Sequence, residues 1–279
     1  YWNTYLSVSG SLENVSAFTK ELSLAQESKG GKPYNTFNRT ISVKNLFLKY
    51  GEKVVLQDIS FTIAKNEVVA LVGESGSGKT SLLNVLAGLL PVEPNIYFLD
   101  EIDFYSIDKR NFKNRIGYIT QEPVIFNDTI FNNVTFWAEP NDVNKDKFYK
   151  ALEMASIQSF VAGLADAENT ILGHSGLNIS GGQKQRLSIA RELFKEVDIL
   201  FMDEATSALD SETESEIQEN LDKLKGKLTI VIVAHRLATI KNADKIIYMN
   251  DGRIINIGNL ETLRNLSPDF NRILELQRL

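Results

Sequence analysis

Three short runs constrain this chain more than anything else in it: "EVVALVG" ending at Gly73, "DILFMD" ending at Asp203 and "LTIVIVAH" ending at His235. Each is nearly continuous in apolar residues and rich in β-branched side chains, the pattern of a parallel strand buried on both faces. Between them lie helical patterns such as Ile217, Leu221 and Leu224 behind the acidic first turn "SETESE", whose carboxylates suit the positive end of a helix dipole. An α/β domain with a central, mainly parallel sheet is therefore expected. Two earlier runs, "ISVKNLFLKY" and "VVLQDISFTI", read as further strands. Asn144 to Ala165 keeps helical spacing with no strand partner, which predicts a helical insertion on one side.

At 279 residues and 43% hydrophobic, the chain can bury one large core plus an appendage. Leu12, Val15, Phe18 and Leu22 recur at helical spacing, so about the first twenty-five residues read as an amphipathic helix. "ESKGGKPYNTFN", Glu27 to Asn38, reads as a linker, and a globular domain is expected to begin near Arg39. A net charge of −6 with scattered basic residues argues against nucleic acid as a partner. The absence of cysteine excludes disulfides and thiolate metal sites. No stretch approaches eighteen apolar residues, so no bilayer span is expected and the chain reads as soluble. It opens without methionine, which points to processing or to a fragment of something longer.

"GESGSGKT", Gly73 to Thr80, fits the P-loop pattern and sits where that pattern has to sit, after a buried strand and before the helix "SLLNVLAGLL". Gly73, Glu74, Ser75, Gly76, Ser77, Gly78 and the following Ser81 form the expected phosphate cradle. In it Lys79 reaches the β and γ oxygens and the Thr80 hydroxyl can ligate Mg²⁺. A strand that ends in an acid delivers a carboxylate to the same sheet edge, so Asp203 is the metal-side acid. Glu204, one residue on, is placed to orient or deprotonate an attacking water, or it is simply a solvated strand-end carboxylate. His235 closes a neighbouring strand and could bridge the γ-phosphate and that water, or merely cap the core. Gln121 in "GYITQEP" offers an amide able to ligate Mg²⁺ and to sense the γ-phosphate.

Together these residues resemble the nucleotide-binding domain of ATP-binding cassette (ABC) proteins, from about Thr40 to the C-terminus. "ISGGQ", Ile179 to Gln183, is similar to that family's signature motif, with isoleucine where leucine is usual. "DEATSALD", Asp203 to Asp210, resembles its acidic strand end plus the loop that follows, and "AHRLATI" its histidine switch. Tyr50 sits where the family stacks an aromatic ring on adenine. The resemblance implies a P-loop ATPase fold with an antiparallel β subdomain and a helical subdomain, at about residues 122–195 of a cassette spanning 39–279. It also implies that Ser180, Gly181, Gly182, Gln183 and Asp210 serve ATP across a head-to-tail dimer with a second cassette, and that catalysis rests on Glu204, His235 and Gln121. Mg²⁺ would be held by Thr80, Gln121 and Asp203.

"TIFNNVTF" resembles exporters whose membrane and ATPase parts share one polypeptide. Residues 1–38 then read as the tail of an N-terminal transmembrane domain, with the cassette at the cytoplasmic face of a membrane. His174 stands where such exporters commonly carry glutamate near the membrane-domain contact. The alternatives are a soluble cassette ATPase acting on nucleic acid or ribosomes, and a nucleotide switch without catalysis. An acidic single cassette speaks against the first, and Glu204 with His235 against the second.

Overall fold

The computed structural model of the chain describes residues 15–16, 18–19, 31–204, 215, 219–234 and 237–276. Its centre is a six-stranded sheet built from β3 (Val68–Val72), β6 (Ile116–Ile119), β7 (Ile199–Asp203), β8 (Thr229–Val233), β9 (Lys245–Asn250) and β10 (Arg253–Gly258). The order is β10-β9-β3-β8-β7-β6, parallel except for the antiparallel β10–β9 pair. The reason for the uninterrupted apolar runs is visible in how alternate residues divide. Ala70, Val72, Leu200, Met202, Ile230 and Ile232 enter one hydrophobic cluster. Val69, Leu71, Ile199, Phe201, Val231 and Val233 enter the other. With period-two side chains, a strand between two cores has to be apolar at every position.

On one side the second cluster joins this sheet to helix α1 (Lys79–Leu86) and to an antiparallel sheet of order β2-β1-β4-β5. That sheet comprises β1 (Thr40–Tyr50), β2 (Lys53–Ala64), β4 (Tyr97–Leu99) and β5 (Ile102–Asp103). A short helix, α2 (Lys109–Lys113), precedes β6. Between β6 and β7 the described elements are helical: α3 (Ile130–Thr135), α4 (Asp142–Met154), α5 (Gln158–Ala162) and α6 (Gly181–Phe194), with short 3-10 turns. The periodic stretch Asn144–Ala165 thus becomes two helices, broken where Ser156 takes a left-handed φ of 51°. Phe148, Leu152 and Leu187 carry this helical layer into the first cluster. Among the described residues no helix is long and apolar enough to cross a membrane.

Residues 31–38 are not a free linker. The Phe37 ring is fully buried and Tyr34 nearly so, both within the second cluster. The Phe37 N–H donates to Asp198 at 3.2 Å, and Asp100 accepts from the N–H groups of Asn38 and Arg39 at 2.7 and 2.6 Å. Asp198 also takes a bidentate grip from Arg115 at 2.8 and 2.6 Å. Packing therefore extends into residues 31–38, ahead of the boundary read from the sequence. Of the N-terminal amphipathic segment, Val15, Ser16, Phe18 and Thr19 are helical, with Val15 and Phe18 exposed, and the rest lies outside the described residues.

Phe37→Ala should destabilise the chain by about 3–5 kcal/mol, the range for emptying a buried aromatic site. Urea unfolding measures it. A midpoint unchanged from the parent chain would return residues 31–38 to linker status.

Candidate nucleotide site

The site forms where β3 ends and α1 begins. A Cβ on Gly73 would sit 2.2 Å from the Met249 carbonyl oxygen, so only glycine admits this approach of backbone to backbone. Gly78, at a φ of 98°, is the N-cap of α1 and supplies no side-chain cap. The first N–H groups of α1 are left for an anion, and the helix dipole favours one there. Lys79 is 5% exposed, and two of its three ammonium donors go to the carbonyls of Gly73 and Glu74 at 2.9 and 2.8 Å. Burial pulls its pKa below the ordinary lysine value, while Glu204 and Asp203 push the other way.

Strand β7 brings the acids to this loop. The Thr80 hydroxyl donates to Asp203 Oδ1 at 3.0 Å. Strand alternation would send the next side chain to the opposite face, but Glu204 takes a left-handed φ of 49° that ends the alternation. Its Oε2 accepts from Gln121 Nε2 at 3.0 Å. Gln121, just beyond β6, keeps its amide oxygen as an acceptor. Thr80, Asp203 and Gln121 thus supply hard oxygen donors of the kind that suits Mg²⁺.

Tyr50 ends β1 and is 49% exposed. Together with Ser75, Gly76, Gly78, Lys79, Thr80, Ser81 and Glu204 it lines a cleft of about 330 Å³. An open ring at one end and a helix N-terminus with a lysine at the other match a molecule with a flat base and a polyanionic tail. Lys53 and Val55 also line this cleft, and the sequence reading missed them. Their signal is the tight turn at Gly51 followed by residues two apart on β2, with Lys53 paired to Tyr50.

The signature-motif residues are elsewhere. Ser180 is the N-cap of α6, with its hydroxyl accepting from Gln183 N–H at 3.3 Å and its own N–H donating to Gln183 Oε1 at 2.8 Å. Ser180 and Gly181 are exposed, Gly182 and Gln183 half-buried, and none of the four lines the cleft. His174 is exposed in a short 3-10 turn, also outside the cleft. Glu74 is exposed in the loop, and Ser77 is buried. His235 and Asp210 lie outside the described residues.

Comparison with known proteins bears on this geometry. The profile described as "ABC transporter" matches residues 56–207, more than half of the chain. The chain belongs to the ABC transporter family. It is an ATP-binding domain of that family. It is 35% identical over 251 residues to the ATP-dependent lipid A-core flippase of Francisella tularensis subsp. tularensis (strain FSC 198), covering 90% of this chain and 41% of that protein. The flippase of the same name from Burkholderia pseudomallei (strain 1710b) is 39% identical over 233 residues, 82% of this chain and 39% of that one. A solved structure titled "Structure of a bacterial Atm1-family ABC exporter with ATP bound" superposes with a TM-score of 0.87 at 29% identity, covering 99% of this chain and 48% of that chain. The chain thus spans about two fifths of the length of these curated relatives.

Tyr50→Ala should weaken ATP binding by about 1–3 kcal/mol, the range for a base stacked on an aromatic ring. Titration calorimetry reads this. Unchanged affinity would remove the ring from the base site.

Proposed function

We propose that this cassette hydrolyses Mg²⁺-ATP as half of a head-to-tail pair, and that the pair powers export by a transmembrane domain joined ahead of it in the same polypeptide. The observation that carries the reading is Gly181. It has an ordinary backbone, and a Cβ built there meets nothing within 4 Å, so nothing near it in this chain asks for glycine. Helix geometry gives the Gly181 and Gly182 N–H groups no partner within α6. The Ser180 hydroxyl uses its oxygen in the capping box and keeps its hydrogen to donate. An anion brought from outside, the γ-phosphate held by a second chain's P-loop, answers all three features.

In this reading the Tyr50 ring takes the base, and Lys79 with the loop N–H groups takes the phosphates. Glu204 accepts the proton of the attacking water while Gln121 fixes its carboxylate. Mg²⁺, held by Thr80, Gln121 and Asp203, neutralises charge on the phosphates when bound. His235 and Asp210 are assigned to the same chemistry by the family resemblance. Association through two shared ATP molecules makes the pair dependent on nucleotide, and hydrolysis removes the bridging phosphate.

The helices between β6 and β7 support a division into a cassette body and a helical part at about 122–195. Export is supported by relatives named as flippases and by a neighbour titled an exporter. Those names support a motor role at the cytoplasmic face of a membrane.

Glu204→Gln should retain ATP binding, lower turnover about 10²–10⁴-fold and accumulate as an ATP-bound dimer in sedimentation. Adding Gly181→Asp should abolish the dimer, because the carboxylate would meet the partner's phosphate with like charge. The same substitution points into open space and puts an acid in the first turn of α6, so the monomer should fold and bind ATP normally. A dimer that survives Gly181→Asp, or a monomer that loses ATP because of it, would sink the cross-chain role.

A further inference from the structure

Gln185 is 1% exposed on α6, four residues beyond Gly181 and so on the same helix face, about 6 Å further along the axis. Its Nε2 donates to the Thr120 carbonyl at 3.2 Å, immediately before Gln121 in the chain. Its Oε1 is buried with no hydrogen-bond partner among the described residues. The amide orientation is settled by Thr120 O, which can only accept. Six residues further along α6, Arg191 donates through Nη1 to the Val124 carbonyl at 2.8 Å and through Nε to Asn133 O at 2.7 Å. One helix therefore grips the Gln121 loop on both sides, firmly at Val124 through a buried guanidinium and through one neutral hydrogen bond at Thr120.

We propose that Gln185 is a positioning residue for ATP hydrolysis, acting through Gln121 on the Glu204 carboxylate. A buried acceptor is rarely left unused, and a loop held at one point by a single weak bond can trade it. When the Gln121 loop shifts, one of its backbone N–H groups joins Gln185 Oε1, so the loop has two hydrogen-bonded settings against the same amide. This deepens the head-to-tail reading and rests on it in one respect: the helix that bears Gln185 starts at the residues assigned to the partner's phosphate. Docking there is then felt one turn along, at the loop that orients the catalytic carboxylate.

The test is a double-mutant cycle on steady-state ATPase activity of the full chain. Gln185→Met keeps length and volume and removes both hydrogen-bonding functions. It should lower kcat about tenfold with KM for ATP within about twofold, the mark of an interaction that matters in the transition state. Gln185→Asn keeps the amide but loses the reach, so it should show the same split and serves if the methionine variant does not fold. Gln121→Ala should lower kcat, and Gln121→Ala with Gln185→Met should be no slower than Gln121→Ala alone. Losses that multiply, or a raised KM at unchanged kcat, would overturn the assignment. If Gln121→Ala leaves kcat unchanged, the role given to Gln121 falls and that of Gln185 falls with it. Failure of the head-to-tail reading shows separately, as Glu204→Gln chains that stay monomeric with ATP, while the kcat cycle still reports on the Gln185 to Gln121 coupling.

Discussion

A hydroxyl and a carboxylate 123 residues apart, Thr80 Oγ1 and Asp203 Oδ1, meet at 3.0 Å. The rest of the site depends on what enforces that meeting. Parallel pairing of β3 with β8 and of β8 with β7 sets Val72 and Asp203 at the same edge of the sheet. That pairing is held by burial on both faces, with alternate residues of each strand committed to different cores. A register slip of one residue would exchange the two sets of side chains and carry Asp203 away from Thr80. The chemistry is therefore anchored by hydrophobic packing well inside the domain.

The electrostatics at this edge are balanced between opposing terms. Burial disfavours the Lys79 ammonium, and Asp203 and Glu204 favour it. The two loop carbonyls on Lys79 keep it hydrogen-bonded in a place where an unpaired charge would be costly. Glu204 adds backbone strain: a left-handed residue other than glycine persists where its surroundings over-determine it, here with Gln121 across from its carboxylate. The strain buys a direction, turning the second of two adjacent acids toward a different partner.

How much of this was legible in the sequence depended on whether a residue leaves a local pattern. The P-loop did, because Gly73 and Gly78 are demanded by close approach and by positive φ, which few residues besides glycine satisfy. The central strands did, because two-sided burial writes an unbroken apolar run. Phe37 did not, since one ring plugging a core has no period, and its backbone and its neighbours' are held by distant carboxylates, Asp198 and Asp100. Lys53 and Val55 reach the cleft only once β2 folds back on β1. Nothing local marks Gln185, whose hydrogen-bond partner is the Thr120 carbonyl 65 positions away. Ser180 and Gly181 were the reverse case: their pattern was plain, and the fold leaves them on the surface, outside this chain's own cleft.

The proposed head-to-tail pair rests on that separation, since the signature helix of one chain would have to complete the cleft of another. Because the chain has no cysteine, single cysteines report the contact cleanly. Chains carrying Ser75→Cys are mixed with chains carrying Gly181→Cys, both on Glu204→Gln, oxidised with and without ATP and run on a non-reducing gel. The account predicts a disulfide-linked dimer in the mixture, dependent on ATP, and little in either variant alone. Cross-linking of Ser75→Cys chains to each other, or an ATP-bound dimer with no mixed cross-link, would contradict it.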